Sequence, residues 1–108
     1  MYNFSLMIII KSEIGEKLRE LRKQKGETLN SVSESAGIDL TLLSKIERGE
    51  RLPTQEQLLN LATYYKYNES ELKTLLVAEK IIKDYGISEE TQKAINLVEE
   101  QITKYLKK

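Results

Sequence analysis

Residues 28–49, TLNSVSESAGIDLTLLSKIERG, decide the fold of this chain. Two short stretches with apolar residues at helical spacing lie on either side of Gly37. Thr28 and Asp39 are suited to cap the two helices, and Gly49 ends the second. Glycine readily adopts the left-handed conformation that turns the chain between helices. The segment therefore predicts two short helices joined by a glycine turn. The inward-facing residues are expected to be Val32, Ala36, Ile38, Leu43 and Ile46.

Four further helices are predicted around this segment, and each begins at a residue that can cap it. The caps are Ser12, Thr54, Asn68 and Ser88. Gln57 and Glu71 would complete capping boxes with Thr54 and Asn68. The chain is therefore predicted to be all-α, with a five-helix domain over residues 12–83 and an amphipathic C-terminal helix within residues 84–108. Residues 1–11 are apolar and β-branched, and are either an ordered arm or strand or a frayed terminus.

The composition excludes several classes of function. The 108 residues contain no Cys and no His, so disulfides, thiolate or imidazole metal sites and Cys- or His-based catalysis are ruled out. The carboxylates are scattered, and no phosphate-binding loop is present. We therefore expect no enzyme, no metal and no cofactor. Residues 1–10 are too short to span a bilayer and lack the features of a signal peptide, so we expect a cytoplasmic protein with no membrane partner.

The charge pattern is less typical of a nucleic-acid-binding protein, because the formal net charge is zero. The distribution is uneven, however. Residues 11–25 are rich in Lys and Arg, whereas acidic residues cluster over 84–100. A positive face near the start of the chain is therefore compatible with phosphate contact, and the same cations also fit a solvated helix face.

Residues 28–49, preceded by IGEKLRELRKQKG and followed by ERLPTQEQLLNLA, resemble the Cro/phage-repressor helix-turn-helix family, also called the XRE family. The likeness covers about residues 12–66 and includes the glycine turn, the buried pattern and the Pro-Thr cap in the family's order. It implies a repressor-like DNA-binding domain whose second motif helix, at residues 39–48, lies in the major groove. It further implies a sequence-specific transcriptional regulator, a repressor or autoregulator, that binds an inverted-repeat operator in double-stranded DNA as a homodimer. LLSKIERGERLPT resembles restriction-modification controllers in particular.

The resemblance also implies which residues contact DNA. Base-facing positions lie on the reading helix, and phosphate contacts lie at the start of the preceding helix and after the reading helix. The predicted DNA-binding residues are Thr28, Leu29, Asn30, Leu40, Thr41, Ser44, Lys45, Arg48 and Arg51. In relatives, the residues that match Arg22 and Glu47 form a structural ion pair, although the Arg22 guanidinium also fits an approach to phosphate.

The chain departs from the family at three positions. Leu29 replaces a frequent Gln, and Ser33 stands where Ala is usual. Leu40 occupies a base-facing position at which the family commonly has a polar residue. We expect the Ser33 hydroxyl to bond a preceding helical carbonyl. Leu40 and Leu42 either pack against the following loop or fourth helix, or form an apolar reading edge or a protein-docking patch. The last option defines an alternative function, a protein-interaction module such as an antitoxin that binds a protein partner.

The C-terminal helix carries more apolar surface than the five-helix domain needs. A motif of this kind reads only a half-site, so pairing of two domains is expected. We predict that this helix forms the homodimer interface; the alternative is that it folds back on the fifth helix within a monomer. The predicted interface residues are Ile95, Val98, Ile102 and Tyr105.

Overall fold

The computed structural model describes residues 12–107, and all regular structure in this range is helical. The predicted all-α fold is therefore confirmed, and the predicted N-terminal arm lies outside the described residues. The helices are α1 Glu13–Gln24, α2 Leu29–Ala36, α3 Leu40–Glu47, α4 Gln55–Tyr65, α5 Glu69–Tyr85 and α6 Glu89–Leu106.

Every one of these helices begins at a side-chain cap that the sequence predicted. The capping oxygen accepts a hydrogen bond from the backbone N–H three residues later, which satisfies one of the unpaired amides of the first turn. The caps are Ser12, Thr28, Asp39, Thr54, Asn68 and Ser88. Thr54 and Gln57 form the full reciprocal capping box. At Asn68 only the first half forms, because the Glu71 carboxylate instead accepts a hydrogen bond from the Tyr67 hydroxyl at 2.6 Å.

One apolar core joins α1 to α5. The five inward-facing residues predicted for the motif are all buried. The turn between α2 and α3 is made by Gly37, whose φ of 69° places it in the left-handed region. The expectation for Ser33 was wrong: its hydroxyl donates to the carbonyl of Ile38, across the turn, rather than to a preceding helical carbonyl. This bond fixes the start of α3 against α2.

The first turn of α1 is held by two close approaches. The carboxylate of Glu79, on α5, accepts hydrogen bonds from the Ser12 hydroxyl at 2.9 Å and from the Ile14 amide at 2.9 Å. Gly15 lies against the end of α3, where an added Cβ would come within 2.6 Å of the Ile46 carbonyl oxygen. Only a residue without a side chain allows α1 to approach α3 this closely.

The helix α6 stands apart from the core. Gly86 ends α5 as predicted, and the Thr91 hydroxyl donates to the Tyr85 carbonyl at 3.2 Å across the turn. None of the residues described for α6 is buried. In this structure α6 therefore does not fold back on α5. The predicted domain boundary after residue 83 falls in the last turn of α5, and the division into domains stays a prediction. Within residues 12–107, no helix is long and apolar enough to cross a membrane.

Two adjacent tyrosines at the end of α4 differ in their hydrogen bonding. The Tyr64 hydroxyl donates to Glu27 at 2.7 Å. The Tyr65 hydroxyl is buried and has no hydrogen-bond partner among the described residues. Burial, together with the nearby charge of Glu47, raises the pKa of Tyr65 well above its usual range. The Tyr65 hydroxyl is therefore desolvated without compensation.

We predict opposite effects for the two Tyr→Phe changes. Tyr65→Phe removes the unsatisfied hydroxyl, so the free energy of unfolding should stay equal or rise by about 1 kcal/mol. Tyr64→Phe removes the hydrogen bond to Glu27 and should lower the free energy of unfolding. Urea unfolding of both variants measures the difference. A Tyr65→Phe protein less stable than Tyr64→Phe would contradict the prediction.

Candidate nucleic-acid interface

A surface groove of about 470 Å³ runs between the start of α2 and the outer face of α3. It is open to solvent, and most of the residues for which DNA contact was predicted line it. The lining residues are Thr28, Leu29, Asn30, Leu40, Thr41, Ser44 and Arg48. Positions that are separate in the sequence are thus brought to one face by the glycine turn.

The two faces of α3 have different environments. Leu43 and Ile46 are fully buried and attach the helix to the core. Leu42 is partly buried and packs against the same core, whereas Leu40 is 39% exposed at the groove. Leu42 therefore packs inward, and Leu40 belongs to the outer face. Helical spacing places Thr41, Ser44 and Lys45 on the side away from the core.

Two predicted contact residues lie outside the lining of the groove. Lys45 and Arg51 are exposed and do not line it. Arg48, at the end of α3, donates from Nη1 to the Ser44 hydroxyl at 2.6 Å and from Nε to Glu50 at 2.5 Å. The guanidinium is therefore held at the groove edge, already paired with a carboxylate.

Arg22 on α1 meets Glu47 on α3, as the resemblance implied. Nε of Arg22 lies 2.9 Å from Oε2 of Glu47, and Nη2 lies 3.0 Å from Oε1. The remaining Nη1 donates to the Glu27 carbonyl at 3.0 Å. Hydrogen bonding to Glu47 raises the pKa of Arg22 despite its burial. Only 14% of the Arg22 side chain and 4% of the Glu47 side chain are exposed, so the pair is largely buried. Arg22 is not among the residues that line the groove.

Two acidic residues near the groove were not identified from the sequence. Glu27 precedes the cap of α2 and accepts hydrogen bonds from the hydroxyls of Ser31 and Tyr64, which lower its pKa. These bonds tie the start of α2 to α4. Glu50 pairs with Arg48. The signal for Glu50 was its position two residues after Arg48; the contact between Glu27 and Tyr64 joins residues 37 apart and carries no local signal.

The predicted dimer residues all lie on the exposed surface of α6. Their exposed fractions are 38% for Ile95, 54% for Val98, 52% for Ile102 and 77% for Tyr105. Spacings of three, four and three residues put them along one side of the helix. Among residues 12–107, no cluster of acidic residues is arranged to hold a metal ion.

Comparisons with known proteins match this architecture. The family described as "Helix-turn-helix domain" matches residues 15–76, and the chain belongs to this family. Together with the similarity to the phage repressor RstR and the controller C.AhdI, this match confirms the resemblance to the Cro/phage-repressor type found in the sequence.

Individual relatives are transcriptional regulators. The regulator ClgR of Mycobacterium tuberculosis is 40% identical over 55 residues, which cover 51% of this chain and 49% of ClgR. The chain thus spans about half the length of ClgR. The cryptic phage CTXphi repressor RstR of Vibrio cholerae is 33% identical over 99 residues, with 83% of this chain and 87% of RstR covered. The crystal structure of the restriction-modification controller C.AhdI from Aeromonas hydrophila has a TM-score of 0.54 and 33% identity, covering 56% of this chain and 92% of that chain.

We predict that Glu47→Gln lowers the free energy of unfolding by about 3 kcal/mol, because it leaves the largely buried Arg22 charge without its partner. Thermal or urea unfolding measures this loss. The matched control is Glu100→Gln, which removes a surface pair with Lys104 at 3.7 Å and should leave stability unchanged. Equal stability of the two variants would show that the pair does not hold α1 against α3.

Proposed function

We propose that this protein is a sequence-specific transcriptional repressor that inserts α3 into the major groove of double-stranded DNA. The observation that carries the proposal is the groove between α2 and α3, in which residues expected to face bases and residues expected to face phosphate occupy one open surface. A major groove about 12 Å wide admits one helix. The buried side of α3 is fixed by the core, so its outer side is presented without rearrangement.

Within this proposal, the outer side of α3 reads bases and its ends contact the backbone. Lys45 is exposed and can donate to guanine O6 or N7. Leu40 and the methyl group of Thr41 offer apolar contact to a thymine methyl. Amides and hydroxyls at the start of α2, together with Arg48 and Arg51, contact phosphate.

The names of the relatives support repression of transcription rather than activation. RstR, named a repressor, aligns over most of both chains, and C.AhdI is a restriction-modification controller. We propose repression or autoregulation on this basis, with a controller role as a narrower form. Within this proposal, the protein acts in the cytoplasm and performs no catalytic step. The antitoxin alternative gains no support from these comparisons.

The DNA-binding unit is proposed to be a homodimer joined through α6. Four apolar side chains at heptad-like spacing are exposed along this helix, and a second copy of the same helix presents the matching stripe. A two-fold axis then pairs two reading helices with an inverted repeat, whose half-sites lie about 34 Å apart on one side of the duplex. Within this proposal, residues 12–83 form the DNA-binding domain and residues 84–108 the dimerisation segment.

We predict that Lys45→Ala and Arg48→Ala each weaken binding to duplexes selected from a random library by the wild-type protein. The expected loss is roughly tenfold for Lys45→Ala. For Arg48→Ala, affinity should also fall, because one phosphate contact is lost. Titration at several salt concentrations measures both effects. Lys93→Ala, an exposed change on α6, is the control. The model is wrong if both variants bind like wild type and binding is insensitive to salt.

We predict that the wild-type protein sediments as a dimer at tens of micromolar and that Ile102→Asp sediments as a monomer, because the carboxylate would be desolvated at the interface. Leu59→Asp is the matched control: Leu59 is 48% exposed on α4, and its replacement should leave the dimer intact. A monomeric wild-type protein would reject the interface on α6.

A further inference from the structure

Glu50 stands beside two cations that the proposed function assigns to DNA contact. Its Oε2 accepts a hydrogen bond from Nε of Arg48 at 2.5 Å. The hydrogen bond from Arg48, and then the charges of Arg48 and Lys45, lower the pKa of Glu50. The carboxylate is therefore ionised at neutral pH and serves as a counterion at the end of the reading helix.

The backbone holds Glu50 in this place. Gly49 has a φ of 78°, a conformation that favours glycine, and an added Cβ would come within 2.5 Å of the Ser12 Cβ. The backbone amide of Gly49 donates to the carbonyl oxygen of Ile46 at 3.0 Å, and the backbone amide of Glu50 donates to the carbonyl oxygen of Lys45 at 2.9 Å. Residue 50 is thus fixed relative to α3, so the meeting of its side chain with Arg48 follows from the turn.

The same pair is open to solvent. The Arg48 side chain is 55% exposed and the Glu50 side chain is 53% exposed. Exposed ion pairs contribute little to stability and are screened by salt. Arg48 and Glu50 therefore separate readily, unlike the largely buried pair of Arg22 and Glu47.

We propose that Glu50 competes with the DNA phosphate for Arg48 and thereby limits the affinity of the reading helix for duplex DNA. This inference rests on the proposed function. Carboxylate and phosphate present similar paired oxygens to a guanidinium, so the edge of Arg48 that binds Glu50 is also suited to a phosphodiester. When phosphate displaces Glu50, an unpaired carboxylate remains beside the negatively charged backbone. The loss of the pair between Arg48 and Glu50 offsets part of what the phosphate contact contributes, which weakens the complex and makes it easier to reverse.

The test is a double-mutant cycle with wild type, Glu50→Gln, Arg48→Ala and the double variant. The probe is the set of duplexes that the wild-type protein selects from a random library. Glu50→Gln should bind several-fold more tightly than wild type, and its plot of log affinity against log salt should be steeper by about one, because no cation is taken up by a freed carboxylate. In the Arg48→Ala background, the same change should give little or no gain.

Glu56→Gln is the matched control, since Glu56 is an exposed glutamate in the first turn of α4. It removes the same charge from another surface and should leave affinity unchanged. The inference is overturned if Glu50→Gln binds no more tightly than wild type. It is also overturned if the gain persists in full without Arg48 or is matched by Glu56→Gln, because Glu50 would then act through general repulsion. A wild-type protein that binds no duplex overturns the proposed function itself, and this inference with it.

Discussion

The close contact between the first turn of α1 and the last turn of α3 is the constraint on which the rest of the structure depends. Gly15 lies against the carbonyls of Ile46 and Glu47. About two turns further along α1, the ion pair between Arg22 and Glu47 joins the same two helices. The buried side of α3 is thereby fixed at both levels, by packing and by charge. The outer side of α3 does not attach the helix to the core, so a rigid helix can present polar and apolar groups there to a partner.

Helix positions could be predicted from the sequence because their signals are local. Each described helix begins at a short polar side chain that bonds an amide three residues later, and Gly37 and Gly86 interrupt the helical pattern directly. Side-chain partners were predicted less well. Ser33 has acceptors on both sides of the turn, and the choice of Ile38 depends on how α2 and α3 cross. The Glu71 carboxylate accepts a hydrogen bond from the Tyr67 hydroxyl instead of from the Asn68 amide, and a capping pattern in the sequence does not include such a competing donor.

The candidate interface was only partly accessible to the same reasoning. The family resemblance identified residues that the fold gathers around one groove, and it implied the meeting of Arg22 with Glu47. It did not identify Glu50, since the pattern describes which residues face DNA and not which anions oppose them. Leu42 packs on the core whereas Leu40 is exposed, because side chains two residues apart on a helix point in directions that differ by roughly half a turn.

The hydrogen bonds from Ser12 and Ile14 to Glu79 connect residues 67 and 65 positions apart. They join the start of α1, the first helix of the five-helix domain, to α5, its last helix. The support of the helix-turn-helix segment therefore extends beyond its own borders, through α1 to α5. A fragment that stops after α4 would lose the carboxylate that accepts from the Ile14 amide, and with it one of the contacts that hold α1 in place.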